Sequence, residues 1–372
     1  MHEFRIAVLP GDGIGREVMS PCLALLDIAV GRVGGFSLTF DLHEAGAELY
    51  RRTGVAMPDT ALRAAESADA ILLGAMGLPS VRYPDGTEVQ PHLDLRARFD
   101  LYAGVRPFRL FKGAPTPLAD PRAKDIDCVL VRESTEGLFA ARTMTRREGN
   151  DAVFDTMVIT RRTSERLFEF AFTLARSRSL ARKGRPGHVT CVDKANVIPS
   201  MAFFRSIFLE CAARHPDITS DCVYVDAVGL KMVRAPWEFD VLVTENMFGD
   251  ILSDVGAGLI GGMGMAPSAD IGDAHGVFQP CHGTAPDIAG RGLANPTAMI
   301  LSGAMMLEWL GERHHVAACA MAAAAVRHAV EDAFAEGGLV TPENGGTSGT
   351  EEVAARIRSR LEQRPVASGL RA

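Results

Sequence analysis

Short apolar runs alternate along this chain with longer stretches in which apolar positions recur at helical spacing. IAVLP (6–10), FSLTFDL (36–42), DAILLGA (69–75), DCVLVRE (127–133), HVTCVDK (188–194), CVYVDAV (222–228) and FDVLVTE (239–245) have the length and branched apolar content of strands. Their alternation with helix-like segments predicts α/β layers. From Ala294 to Val330 the chain is apolar and alanine-rich with little polar interruption, which predicts packed helices. The run ARSRSLARKGRPG (175–187) leads from an apparent helix into HVTCVDK, and its charges read as a solvated helix end favourable to the dipole. No repeat, low-complexity tract or linker interrupts the pattern, which implies domains sharing one sheet or a chain that crosses and returns.

Composition narrows the function more than the fold. With 372 residues, 47% of them hydrophobic, the chain can fill two domains or one large α/β unit. A net charge of -7 argues against a nucleic-acid surface, which needs a concentrated basic face, so an anionic partner is expected to be small. Seven cysteines without a C-x-x-C pair suggest neither a zinc knuckle nor a disulfide framework but reduced, mostly buried thiols. No leader-like start and no apolar stretch near the ~20 residues of a membrane span are visible, so no membrane partner and a cytoplasmic location are expected.

Several segments carry candidate chemistry. LPGDGIGREV (9–18) follows the first strand, but its glycines read G-x-G-x-G rather than the dinucleotide fingerprint G-x-G-x-x-G. Glu17 in the first helical turn would also repel a pyrophosphate. The loop therefore reads either as a phosphate site of unusual form or as a tight turn needing positive φ. LDLRARFDLYAGVRPFRL (93–110) contains Arg96, Arg98, Arg106 and Arg109, and Arg132 lies near the end of the strand-like run DCVLVRE. Arginines near strand ends suit a carboxylate-rich ligand, although singly each is an ordinary ion-pair residue.

In TENMFGDILSDVGAGLIGGMGM (244–265), Asp250 and Asp254 stand at i and i+4 and share a helix face. They are either solvated acids or a pair that a hard cation such as Mg²⁺ or Mn²⁺ bridges. Lys194 follows a strand, flanked by Asp193 and Asn196, where a lowered pKa would suit proton transfer; Asp226 is another acid at a strand end. QPCHGTAPDIAGRGLANP (279–296) has the turn formers of a shaped loop leading to a helix.

Together these motifs are more specific than any one. LPGDGIGREV, LRARFDLYAGVRP, VRESTEG, VDKANV, TENMFGDILSD and HGTAPDIAGRGLANP occur in the order seen in the β-decarboxylating 2-hydroxy-acid dehydrogenases, the isocitrate/isopropylmalate dehydrogenase family, which this chain resembles from about residue 4 to 355. The resemblance implies an isopropylmalate dehydrogenase-like α/β fold of two domains sharing a large mixed sheet, not a Rossmann fold. Residues 1–100 with 255–372 would form the cofactor-binding domain, and 101–254 the substrate, metal and dimerisation domain.

By the same resemblance, Arg96, Arg106 and Arg132 would clamp the carboxylates of a hydroxy-dicarboxylate, with Gln90, His92 and Phe139 beside the substrate. Asp250 and Asp254, with Asp226, would hold Mg²⁺ or Mn²⁺. Lys194 and Asp226 would come from the partner subunit of a homodimer, Lys194 moving the proton of the 2-hydroxyl. NAD would lie against His282, Gly283, Thr284, Ala285, Pro286, Asp287 and Asn295. Asp287 would meet free ribose hydroxyls rather than a 2′-phosphate.

Two departures from the family pattern are visible. Phe139 stands where the relatives compared carry a tyrosine that protonates the enol. VQPHLDLR (89–96) offers Gln90 and His92 where leucine-pathway relatives present apolar residues, and RESTEG replaces RELTGG. These features lean toward a tartrate, D-malate or isocitrate-like substrate. The 3-isopropylmalate dehydrogenase of leucine biosynthesis is the alternative. A non-catalytic regulatory subunit is a further reading, resting on Phe139 alone.

Overall fold

The computed structural model describes residues 2–140, 144–182 and 184–364. The first part of the chain forms β1 (His2–Gly11), α1 (Ile14–Val33), β2 (Phe36–Leu42), α2 (Ala47–Thr53), α3 (Asp59–Ser67), β3 (Ala70–Ala75) and α4 (Pro91–Arg98). The middle forms β4 (Ala103–Arg109), β5 (Asp127–Glu133), α5 (Gly137–Ala140), β6 (Arg146–Glu148), β7 (Ala152–Phe154), α6 (Arg161–Ala181), β8 (His188–Asp193), α7 (Pro199–Ala212), β9 (Thr219–Tyr224), α8 (Val225–Arg234), β10 (Val241–Thr244) and α9 (Asn246–Leu259). The last part forms β11 (Pro267–Ile271), β12 (Gly276–Pro280), α10 (Thr297–His314), α11 (Ala317–Ala335) and α12 (Thr350–Gln363).

Ten strands join in one sheet, ordered β2-β1-β3-β12-β11-β4-β5-β10-β8-β9. Both ends are parallel, and β11 and β4 run antiparallel to their neighbours in the middle. The sheet is therefore mixed, as expected, and has no Rossmann topology. Strands from residues 1–100 and 255–372 fill one half, and those from 101–254 the other. β1 shows why such strands read as continuous apolar runs: Phe4, Ile6 and Val8 enter the core beneath α1, while Ala7 and Leu9 pack on the opposite face with Ala61 and Ala65 of α3. The Ala294–Val330 segment is indeed helical; α10 and α11 are largely buried together against α1. No helix among the described residues is long and apolar enough to cross a membrane.

The basic run before β8 is not the solvated helix end its composition suggests. Arg178 donates to Asp240 Oδ1 at 2.9 Å and to the Asp127 carbonyl at 2.8 Å, and Arg182 also pairs with Asp240, which is 3% exposed. Asp240 in turn accepts the His188 N–H at 3.0 Å. These arginines tie the starts of β5, β8 and β10 together; Lys183 lies outside the described residues.

The GDGIG turn also resolves as architecture. Gly11 and Gly13 have φ of 75° and 53°, and a Cβ on Gly13 would lie 2.0 Å from the Thr284 carbonyl oxygen. That carbonyl accepts the Ile14 N–H at 2.9 Å, while Asp12 accepts the N–H groups of Ala47, Glu48 and Gly77. Glu17 accepts from Gly290 N, Ala294 N and Thr350 Oγ1. The turn thus braces the 282–296 loop.

Candidate active site

A cleft of about 400 Å³ opens where the two halves of the sheet meet. It is reached by the end of β3, the start of α4, β4, the end of β5, α9 and the end of β12. Gln90, His92, Arg96, Arg106, Arg132, Phe139, Asp250, Asp254, His282 and Gly283 all line it. These residues, separated by up to 193 positions in sequence, converge there. Arg98 and Arg109 instead face outward, paired with Glu66 and Glu331.

The three lining arginines are buried around one carboxylate that the sequence reading missed. Asp270, 1% exposed on β11, accepts from Arg96 Nε at 3.0 Å and from Gln279 Nε2 at 2.7 Å. Burial opposes its charge, but Arg96, Arg106 and Arg132 together outweigh that and hold its carboxyl below the usual range. Arg132 donates to Asn246 Oδ1 at 3.0 and 2.7 Å and pairs with Asp250. Burial, followed by the charges of Arg96 and Arg106, pushes Arg132 down to about 10. Arg106 donates to Cys281 Sγ at 3.1 Å, yet its buried Nε has no partner. Such a group of cations, with a buried donor unspent, is suited to an anionic ligand.

His92 and Phe139 shape the remaining wall. Burial, with Arg96 next, pushes His92 down to about 3, so the imidazole is neutral at working pH, and its buried Nδ1 has no partner. Phe139 lies 5.7 Å from the Arg132 guanidinium carbon, closing that side with an aromatic face and no hydroxyl.

The acids of α9 face the arginines across the cleft. Glu245 caps α9 by accepting from Met247 N and Phe248 N, which sets the register that brings Asp250 and Asp254 to the cleft on successive turns. Burial and then the Asp250 charge raise the pKa of Asp254. Two carboxylates held this close, one of them only partly compensated, fit a hard divalent cation supplied by oxygen ligands.

A second pocket, about 300 Å³, adjoins the cleft through His282 and is lined by Ile14, Ala285, Ile288, Leu293 and Asn295 among others. His282 Nδ1 contacts the Gly283 carbonyl at 2.8 Å while its buried Nε2 has no partner. An apolar pocket joined to a polar cleft by an unsatisfied ring nitrogen fits the two ends of a dinucleotide. Thr284 spends its hydroxyl on the Gly77 carbonyl at 2.6 Å and so positions the loop. Ala285 is held at φ 37°, and Pro286 and Asp287 are exposed.

Lys194 and Asp226 are not at this cleft. They lie at the ends of β8 and β9, where Lys194 Nζ donates to Asp226 Oδ1 at 2.5 Å; Asp226 is in the first turn of α8 rather than on the strand itself. That hydrogen bond holds the Asp226 carboxyl below the usual range. Upstream on the same strands, Cys191, Asp193 and Cys222 have ligand atoms within 4.8 Å of one another. All seven cysteines are free thiols, five of them buried. Among the functional groups missed, Asp270 had one signal in the sequence, an acid inside the apolar stretch MGMAPSADI. Asn246, Gln279 and Cys281 lie within the segments 244–265 and 279–296, but no spacing there singles them out.

Residues 5–357 match the isocitrate/isopropylmalate dehydrogenase family. The chain is 42% identical to the 3-isopropylmalate/3-methylmalate dehydrogenase of Methanocaldococcus jannaschii, covering 98% of this chain and 100% of that protein. It is 40% identical to the tartrate dehydrogenase/decarboxylase of Pseudomonas putida, over 97% of this chain and 98% of that one. Among solved structures, isocitrate dehydrogenase from Methylococcus capsulatus is similar with a TM-score of 0.82 and 37% identity, covering 98% of this chain and 100% of that chain.

Proposed function

This chain belongs to the isocitrate/isopropylmalate dehydrogenase family, and from that premise we propose that it converts a (2R)-malate-type acid with a small or polar C3 substituent, NAD⁺ serving as oxidant, to a 2-oxo acid, CO₂ and NADH. Family membership makes the protein an NAD- and metal-dependent β-decarboxylating dehydrogenase acting on a hydroxy-dicarboxylate. The narrower reading rests on the cleft, above all on a neutral His92 whose buried Nδ1 has no protein partner.

Arg96, Arg106 and Arg132 bind the substrate carboxylates, and Asp270 keeps the three cations from repelling one another before substrate arrives. The cleft's arginine and aspartate charges nearly cancel, so a divalent cation and a dianionic substrate would enter as a balanced pair. Asp250 and Asp254, joined by Asp226 of a second copy, would hold Mg²⁺ or Mn²⁺. Bound there, the metal supplies Lewis acidity at the C2 oxygen, and NAD in the adjoining pocket supplies the hydride acceptor. Lys194 of the second copy takes the hydroxyl proton, oriented by its hydrogen bond to Asp226. Because Phe139 has no hydroxyl, the final proton at C3 comes from Lys194 or water.

The expected homodimer is supported by apolar side chains left exposed on neighbouring helices, Leu230 and Val233 on α8 and Ile251 on α9. The two halves of the sheet, in this reading, are the cofactor and substrate domains, with bounds near residues 100 and 254. NADH formation and CO₂ release, measured in parallel with Mn²⁺ and tartrate, D-malate, isocitrate, homoisocitrate or 3-isopropylmalate, test the assignment. Highest kcat/KM with a polar or unsubstituted C3, with CO₂ matching NADH, supports it. Highest kcat/KM with 3-isopropylmalate would replace it with the leucine-pathway reading, and ligand binding without NADH would favour a regulatory subunit.

A further inference from the structure

The sheet edge that delivers Lys194 and Asp226 also carries two thiols. Cys191 on β8 and Cys222 on β9 are register partners of a parallel pair, so their side chains leave the same face. Cys191 is fully buried; Cys222, on the edge strand, is half-buried. Their sulfurs and the Asp193 carboxylate lie within 4.8 Å of one another.

Three such ligands could be read as a soft-metal site, but the carboxylate is already spent. Arg205 of α7 donates to both oxygens of Asp193 at 2.7 Å each, and Ala195 N adds a third bond at 2.8 Å. A cation there would sit beside a guanidinium. What remains is a dithiol on adjacent strands, whose spacing of about 4.8 Å falls within the Cα separation a disulfide accepts. Cys191 Sγ is fully buried and donates to Asp193 Oδ2 at 3.8 Å, while Cys222 stands half-buried on the edge strand. An external disulfide reaches Cys222, the less buried residue, first, which makes Cys222 the attacking thiol and the buried Cys191 the resolving one.

We propose that Cys191 and Cys222 form a redox-modification site, oxidised by low-molecular-weight disulfides to an intrachain cross-link between β8 and β9. The Cys222 thiolate attacks one sulfur of the disulfide and expels a thiolate, leaving a mixed disulfide. Cys191 then attacks the Cys222 sulfur, its proton passing to the second departing thiolate. Two protein thiols are oxidised and one external disulfide is reduced to two thiols. Lys194 lies three residues beyond Cys191, and Asp226 four beyond Cys222, so the cross-link disturbs the 2.5 Å contact between them. That last effect rests on the catalytic reading of Lys194 and Asp226; the oxidation does not.

The test is incubation of the intact protein with oxidised glutathione at graded ratios to reduced glutathione, followed by non-reducing peptide mapping and, separately, turnover. The expected result is loss of two of the seven thiols per chain and a 191–222 cross-link that dithiothreitol reverses. Cys222→Ser should abolish the cross-link, and Cys191→Ser should stop at the mixed disulfide on Cys222. Turnover should fall in proportion to the cross-linked fraction in the unmodified sequence and persist in Cys222→Ser. Both thiols remaining reduced while others are modified would overturn the proposal. Cross-linking without loss of turnover would overturn its coupling to Lys194 and Asp226, and absence of turnover before any oxidation would count against the proposed function instead.

Discussion

Replacing His92 by leucine isolates the choice of C3 substituent from the rest of the chemistry. The imidazole is neutral because burial pushes its pKa down to about 3, and its Nδ1 is a buried polar atom with no protein partner. A polar group on C3 satisfies that nitrogen, whereas an isopropyl group leaves it unpaired. Leaving a buried group unsatisfied costs about 1–3 kcal/mol, which corresponds to roughly 5- to 150-fold in kcat/KM. His92→Leu should therefore lower kcat/KM by roughly that factor for tartrate or isocitrate, while leaving or raising the value for 3-isopropylmalate. The assay is initial-rate NADH formation on both substrates, with thermal unfolding of each variant to confirm an intact fold. Equal losses on both substrates would refute the reasoning, because they would show that His92 supports the cleft wall rather than reading the substituent. A His92-dependent acid limb near pH 6 would also refute it, since a group at about 3 does not titrate there.

The metal requirement should depend on pH through Asp254, whose pKa is raised by burial and by Asp250. Its deprotonated form is the ligand, so apparent Mn²⁺ affinity, measured by activity titration, should begin to fall at a higher pH than for an ordinary carboxylate, and Asp254→Asn should remove this sensitivity while weakening metal binding. Asp270→Asn should destabilise the fold by about 3–5 kcal/mol in urea unfolding, the cost of breaking a buried ion pair. Because the folded pKa of Asp270 is depressed, its stabilisation is complete above the unfolded value of about 3.9 and is lost as pH falls through the lower folded value; that loss should vanish in the variant. Phe139→Tyr places a hydroxyl where the final proton is delivered and should raise kcat by up to about 10²-fold if protonation limits turnover; an unchanged solvent isotope effect on kcat would place the limiting step elsewhere.

Much of this was legible in the chain because parallel strands buried on both faces announce themselves as apolar runs; β3 and β10 lie within DAILLGA and FDVLVTE and are buried along their whole length. The antiparallel centre was not. β4 carries two arginines and a proline, and β11 and β12 span five residues each, so the strands that place Arg106 and Asp270 look like loop or motif in one dimension. Spacing put Asp250 and Asp254 on one face, but only the fold shows Arg132 opposite them. The charge run around Arg178 concealed its purpose, since the acids it meets, Asp127 and Asp240, are 51 and 62 residues away.

The central claim is that one catalytic centre is assembled from the cleft of one chain and Lys194 with Asp226 of another. Co-expression of Arg132→Gln and Lys194→Met, each inactive alone, tests it. Every hybrid dimer then contains one intact site, so random pairing should restore about a quarter of unmodified activity. A mixture no more active than its parents, with hybrid dimers demonstrably present, would contradict the shared centre.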